Sequence, residues 1–346
     1  MKLKNKAKKA LGVLLTATML STVAASAVSA IGDNVAGIAD FASKLESQYT
    51  DPDRVYSTEV RWWIGEASNT DEALLEEIQA LYDAGFRGVE LCMQSDRNAP
   101  DDTYAYGSEM WSHKWKLMMN KILDLGMTLS LTSGTNWSTS NVPGLDPDSQ
   151  EASQVVAMGS QVVKAGESIT ALPKPSTQRE SNKGKFVAAY AGKLASTDGE
   201  SYVVEPGSMI DLSNQVTAVE GATVYDQAIN WTAPADSDYV VFGYWTHGNY
   251  KTASPAAETC YATNYFDTRG VDALRSFWEE HYLNDPELNE KIKEGDVQLF
   301  MDSIELNPDG GITWWTEDIR QEFINRKGYD IMPYLFLVDG LPQVQA

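Results

Sequence analysis

Two stretches of strand–helix alternation, separated by about a hundred residues without any helical period, constrain this chain more than any other feature. The first runs through Ser57–Trp63, a candidate strand, into a segment that places Leu74, Ile78, Leu81 and Tyr82 on one helical face. Asn69 and Glu72 read as a capping box for that helix, and Gly85 stops it. FRGVELCM (86–93) is a second strand, with Glu90 near its end. A helix is expected over Ser108–Leu125, where Trp111, Trp115, Met118, Met119 and Ile122 recur at helical spacing before Gly126. MTLSLT (127–132) is the third strand, and the small-residue loop Ser133–Trp137 follows. A strand that returns through a helix to another strand gives a parallel pair, so the pattern predicts βαβ units around a helix-covered sheet.

From about Gln150 to Tyr250 the texture changes to β-branched and aromatic runs punctuated by Gly, Pro, Asp and Ser, as in an antiparallel β unit. The α/β pattern then resumes. Helices are expected from Asp267 to Leu283, from Pro286 to Gly295, and from Thr316, as its cap, to Lys327. The reading is an α/β chain of the (β/α)8-barrel type, truncated to about its first half because four strand–helix units are counted and eight close a barrel. Its parts are a signal peptide (1–30), the first part of the barrel (31–149), an inserted β-rich unit (150–250) and a continuation of the barrel (251–346).

Charge narrows the class of partner. Five lysines at positions 2, 4, 6, 8 and 9 precede an apolar run and small residues at Val28 and Ala30, the pattern of a secretory signal peptide. Removing those five lysines, with no acidic residue among the first thirty, moves the formal net charge from −22 to −27. So acidic a surface disfavours nucleic acid and anionic membranes, and suits an exported protein. His113, His247 and His281 are too dispersed for a zinc motif, and Cys92 and Cys260 lack a CxxC partner. Cys92, in a strand, reads as a small hydrophobe, with a Cys92–Cys260 bridge as the alternative. Ten tryptophans and sixteen tyrosines fill core but also offer platforms for stacking sugars.

VQLFMDSIEL (297–306) is an apolar run, expected to be a strand buried on both faces, that ends in Asp302 and Glu305. In α/β barrels the C-terminal strand ends carry the chemistry. The other strand ends offer Arg61, Trp62, Trp63 and Glu66, then Glu90, then Thr132, Asn136 and Trp137. Carboxylates for proton transfer, tryptophans for stacking and an Arg–Asn pair for hydroxyls compose a site for glycoside hydrolysis. Each residue also has a plainer reading: Arg61 as a surface charge, Trp62 and Trp63 as core, Glu90 as a helix cap.

VRWWIGEASNTDEALLEEIQALYDAGFRGVEL, the TSGTNW loop, the DSIEL strand end and WTEDIRQEFINRKGYDIMPYL together resemble glycoside hydrolase family 106, the α-L-rhamnosidases, from about residue 55 to 342. The resemblance implies a secreted hydrolase with a (β/α)8 catalytic domain that removes terminal L-rhamnose with inversion, aided by a calcium ion at the sugar. One departure is Ile64-Gly65 after Trp63, where the family continues with another Trp or a Pro-Gly turn. Carboxylates that would partner Glu305 lie on later strands in the family than this chain reaches. The expected catalytic residue is Glu305, chiefly as general acid, against a role in sugar or calcium binding or as a cap. Arg61, Trp62, Trp63, Glu90, Asn136, Trp137 and Asp302 are the expected substrate-binding residues, and the metal ligands are unassigned. The expected partner is an oligo- or polysaccharide. The competing reading is a non-catalytic carbohydrate-binding or cell-surface protein that keeps a barrel-derived cleft.

Overall fold

The structure, a computed structural model, describes residues 35–50, 52–65, 69–94, 104–137, 140–175, 183–198, 201–302, 312–338 and 344–345. The expected signal peptide (1–30) lies outside them. The chain divides into two units, 1–57 and 58–346. The first holds α1 (Val35–Thr50) and a single 3-10 turn, Arg54–Tyr56.

In the second unit β1 (Glu59–Gly65), α2 (Asp71–Asp83), β2 (Gly88–Gln94), α3 (Glu109–Asp124) and β3 (Thr128–Thr132) follow the predicted order. Thr70, rather than the expected Asn69–Glu72 box, caps α2: its hydroxyl accepts from the Ala73 N–H at 3.2 Å. Asn69 is used differently, since its carbonyl accepts from the buried Lys114 ammonium at 2.8 Å. Ser108 caps α3 by accepting from the Trp111 N–H at 3.1 Å. Gly85 and Gly126 follow the two helices with φ of 93° and 64°, a left-handed turn that a side chain would strain.

The α/β core lies between these helices and one face of the sheet. Trp111, Met118, Met119 and Ile122 of α3 and Leu74 and Ile78 of α2 pack with Ile64, Val89, Leu91, Met93, Leu129 and Leu131. Side chains alternate along a strand, so fixing these residues toward the helices fixes their neighbours on the opposite face.

The β-rich segment begins with β4 (Asn141–Pro143), β5 (Gln154–Val163), β6 (Ser168–Ala171), β7 (Lys185–Asp198), β8 (Ser201–Val204) and β9 (Ile210–Asp211). It continues with β10 (Thr217–Ala218), β11 (Gln227–Thr232), β12 (Tyr239–Gly248), β13 (Thr252–Ala253) and β14 (Cys260–Ala262). Its spine is β12, buried at every position and paired antiparallel with β5 on one side and β7 on the other. On one face of this sheet Val241 and Trp245 pack with Ile169 and Trp231 from the small β10-β11-β6 sheet and with Tyr225 from the β10–β11 connection.

The chain then forms α4 (Thr268–Trp278), whose helix continues as a π-helical turn, Glu279–Leu283, and α5 (Pro286–Glu294). It re-enters the first sheet as β15 (Val297–Phe300), which pairs parallel with β3 to give the order β1-β2-β3-β15. No closed sheet is present among the described residues. Burial of β15 differs from expectation: Leu299 is 58% exposed and Met301 41%. Both were expected inside a strand covered on two faces. No strand pairs with the far edge of β15 among the described residues.

A further difference concerns β16 (Ile312–Trp315) and α6 (Ile319–Lys327). Rather than continuing the parallel sheet, β16 pairs antiparallel with β5. Trp315, Ile331, Met332, Leu335 and Phe336 pack on the β12 face that carries Phe242 and Tyr244. Thr316, expected as a helix cap, instead donates its hydroxyl to Asp267 Oδ2 at 2.5 Å, and the helix begins at Ile319 with Asp318 as N-cap. Asp267 itself caps α4, accepting from the Arg269 N–H at 2.9 Å and pairing with the Arg269 guanidinium. The free cysteines Cys92 and Cys260 are both buried, so no bridge joins them. No helix among the described residues is long and apolar enough to cross a membrane.

Two stability outcomes follow. Leu91→Ala removes a fully buried side chain and should lower unfolding free energy by about 2–5 kcal/mol, whereas Leu299→Ala should cost less than about 1 kcal/mol in the same urea titration. Equal losses would mean that Leu299 is covered in solution. Hydrogen bonds from Arg269 and Thr316 hold the Asp267 carboxyl at about 2, below its usual value. A carboxylate so depressed stabilises the fold above about pH 4 and loses that contribution as pH falls toward 2. Asp267→Asn should therefore cost on the order of 2 kcal/mol at pH 7 and nearly nothing at pH 2, read from denaturation midpoints across pH.

Candidate active site

The face of the parallel sheet opposite the helices gathers the candidate residues by register. Arg61 is opposite Glu90, Glu90 opposite Ser130, and Ser130 opposite Gln298, so one polar layer crosses all four strands. Gln298 closes the lower part of that layer, donating to Glu59 Oε2 at 2.7 Å and to Ser130 Oγ at 2.6 Å. Above it, Arg61 is the hub. Its Nε lies 2.7 Å from Glu90 Oε1 and its Nη1 3.4 Å from Asp302 Oδ2. Its Cζ sits 4.4 Å from the centre of the Phe300 ring, a cation–π contact that helps fix the guanidinium.

Glu90 is only 8% exposed. Burial raises its pKa above the usual glutamate value, and the Arg61 charge opposes that rise. A buried glutamate with a raised pKa beside an arginine keeps its proton to higher pH than an exposed glutamate does. Cys92, one step further along β2, is not such a group, since burial pushes its thiol up to about 11.

The loop after β3 places an aromatic ring beside this cluster. The Thr135 N–H donates to Asn141 Oδ1 at 3.1 Å and its hydroxyl to the Pro255 carbonyl at 2.7 Å. The Trp137 carbonyl accepts from the Asp302 N–H at 3.1 Å, tying this loop to the end of β15. With the loop held at both ends, the Trp137 ring stacks on Trp63 at 5.3 Å between centroids and 12° between planes. Trp63 remains 55% exposed, an open aromatic surface beside the Arg61 cluster. Such a surface suits the apolar face of a sugar ring.

The structure thus brings together Arg61, Trp63, Glu90, Trp137 and Asp302, with Asn136 in the same loop as Trp137. Trp62 is not with them: it lies on the opposite side of β1 and packs against the α/β core. Glu305, the expected catalytic residue, and Glu66 lie outside the described residues. Among the sheet residues, Phe300, Gln298, Ser130 and Glu59 were not singled out from sequence. Their signal was present as polar or aromatic residues at every second position of otherwise apolar strands, but the register that aligns them was not. Among the described residues no three of His, Cys, Asp and Glu converge as a metal site.

Residues 182–342 match the family model of glycoside hydrolase family 106, described as alpha-L-rhamnosidase. That stretch carries the family pattern. It includes the DSIEL strand end and the WTEDIRQEFINRKGYDIMPYL segment, but lies downstream of the β1–β2 motifs. The chain is 23% identical over 336 residues to a Formosa agariphila protein named "Putative beta-glucuronidase", covering 90% of this chain and 28% of that protein. Its fold is similar to that of the rhamnosidase from Novosphingobium sp. PP1Y, with a TM-score of 0.55 and 14% identity over 86% of this chain and 43% of that one. The chain therefore spans less than half the length of either relative.

Arg61→Ala should raise the Glu90 pKa further, because it removes the charge that opposes the effect of burial. A carboxyl carbon NMR titration, with Glu90 assigned through Glu90→Gln, reads this directly. An unchanged midpoint would show that Arg61 does not face Glu90 in solution.

Proposed function

We propose that this chain builds the first four strand–helix stations of a (β/α)8 catalytic domain in a secreted glycoside hydrolase. The reaction is removal of a terminal sugar from an oligo- or polysaccharide, with an α-L-rhamnoside as the first substrate class. The observation that carries the reading is the Arg61–Glu90–Asp302 cluster beside the Trp63–Trp137 stack, on the face of the parallel sheet opposite α2 and α3. The family match over residues 182–342 supports the same class of chemistry. The names of the two relatives differ in the sugar concerned, so the family description decides the first choice.

In this reading the Trp63 surface takes the apolar face of the sugar, while Arg61 and Asp302 take its hydroxyls. Glu305, three residues past Asp302, donates the proton to the departing glycosidic oxygen. Inversion requires a second carboxylate about 6.5–9.5 Å away, with room for a water that it activates on the opposite face of the ring. Glu90 is paired with Arg61 and is assigned to binding, so the base is assigned to a strand of the remaining half-barrel. Calcium, which the family resemblance implies, finds no set of three acidic or histidine ligands among the described residues, and no step passes through it. Residues 1–30 serve export.

The decisive measurement is hydrolysis of 4-nitrophenyl α-L-rhamnopyranoside by the protein carrying the complete barrel. Glu305→Gln should lower kcat by about 10²–10⁴-fold with KM changed little, the size expected of a general acid. Near-normal turnover in that variant would remove Glu305 from the mechanism.

A further inference from the structure

Trp137 stacks on Trp63 from a loop with no apolar anchor of its own, since Ser133, Gly134, Thr135 and Asn136 precede the ring. A run of small polar residues has many conformations open to it, so the bonds made to its backbone decide where the ring sits. One of those bonds comes from Asn141, a fully buried residue of β4. Both ends of its amide are used. Oδ1 accepts from the Thr135 N–H at 3.1 Å, and Nδ2 donates to Cys260 Sγ at 2.6 Å. The Thr135 N–H can only donate, which fixes the amide with its oxygen toward the loop. Burial pushes the Cys260 thiol up to about 12, so the sulfur stays a neutral thiol.

Asn141 is itself held from two sides. β4 pairs antiparallel with β14, with Asn141 opposite Ala262 and Pro143 opposite Cys260. The Tyr106 hydroxyl donates to the Asn141 carbonyl at 3.3 Å, and the Tyr106 ring packs on Trp111 and Phe277 in the α/β core. At the other end of the loop, two residues past Thr135, Trp137 makes two contacts that matter to the candidate site. Its ring lies on Trp63, and its carbonyl accepts from the Asp302 N–H at 3.1 Å. A displacement of Thr135 would carry both. The Thr135 hydroxyl, which donates to the Pro255 carbonyl at 2.7 Å, steadies the same residue, but a hydroxyl turns about its bond and a planar amide does not.

We propose that Asn141 is a positioning residue for the candidate site: through Thr135 its buried amide sets Trp137 on Trp63 and holds the loop against Asp302. The β4–β14 pair is then the support on which the aromatic surface for the sugar is built, and the α/β core reaches that surface through Tyr106. The proposal rests on the reading of Trp63 as a sugar-stacking surface only in its kinetic consequence, so the two can fail separately.

Circular dichroism of the full chain tests it. Stacked indoles couple their ultraviolet transitions, so the Trp63–Trp137 pair should give a couplet that Trp63→Phe and Trp137→Phe each abolish. Asn141→Leu, similar in size but unable to bond, should reduce that couplet by about half or more at temperatures below its melt. Asn141→Asp keeps an oxygen toward the Thr135 N–H and should keep the couplet. A merely structural asparagine would lower the melting temperature and leave the couplet of the folded protein unchanged. That outcome, or the absence of any couplet in the unaltered chain, would overturn the proposal. Should Asn141→Leu fail to fold, the smaller change Asn141→Ala decides by the same measurement. In the protein carrying the complete barrel, Asn141→Leu should raise KM for 4-nitrophenyl α-L-rhamnopyranoside about tenfold with kcat within about twofold, because a stacking surface binds substrate and transition state alike. Hydrolysis with KM unchanged would overturn the role in sugar binding. If the unaltered protein does not hydrolyse the glycoside, the proposed function fails and the couplet alone decides the role of Asn141.

Discussion

Burial of one apolar face of the parallel sheet beneath α2 and α3 is the constraint on which the rest of the α/β part depends. Ile64, Val89, Leu91, Met93, Leu129 and Leu131 are at most 6% exposed, and each occupies an alternate strand position. Once they are outside, the intervening residues must be inside. A shift of one residue in any strand would exchange the two sets and bury Arg61 or Glu90 under the helices. The apolar layer therefore sets the orientation of the polar one.

The polar layer is an arrangement of compensated costs. Glu90 is nearly buried and would be expensive to ionise alone, and the Arg61 guanidinium offsets part of that cost. Arg61 in turn is held by Phe300 and reaches Asp302, so β1, β2 and β15 are tied through one side chain. The second sheet solves a different problem. Its spine, β12, is covered on one face by the β6–β11 sheet and on the other by the segment that follows β16. That segment leaves the parallel sheet because Trp315, Met332, Leu335 and Phe336 find their apolar partners on β5 and β12.

Much of this was legible in the sequence where the signal was local. Helical spacing placed α2 and α3, and Gly85 and Gly126 marked where they stop. The texture change at about residue 150 located the antiparallel unit. Arg61, Trp63, Glu90, Trp137 and Asp302 stood out as strand-end residues; Arg61 and Glu90 instead lie within β1 and β2, where Arg61 meets Glu90 and Asp302, while Trp63 stacks on Trp137. Trp62 could not be separated from Trp63 by composition, because only the face on which each lies distinguishes a core tryptophan from a stacking one. The exposure of Leu299 and Met301 was equally hidden, since an apolar run looks the same on a covered strand and on an edge.

By itself, then, the sequence determined the element types and their order, the acidic charge, and which residues were chemically able to bind a sugar. Those properties depend on neighbours within a few positions along the chain. Tertiary structure alone decided that Arg61 joins Glu90 and Asp302, residues 29 and 241 positions away, and that β16 pairs with β5 rather than extending the parallel sheet. Strand register and sheet choice are settled by which apolar faces can be buried together. That is a comparison among distant segments which no local pattern contains.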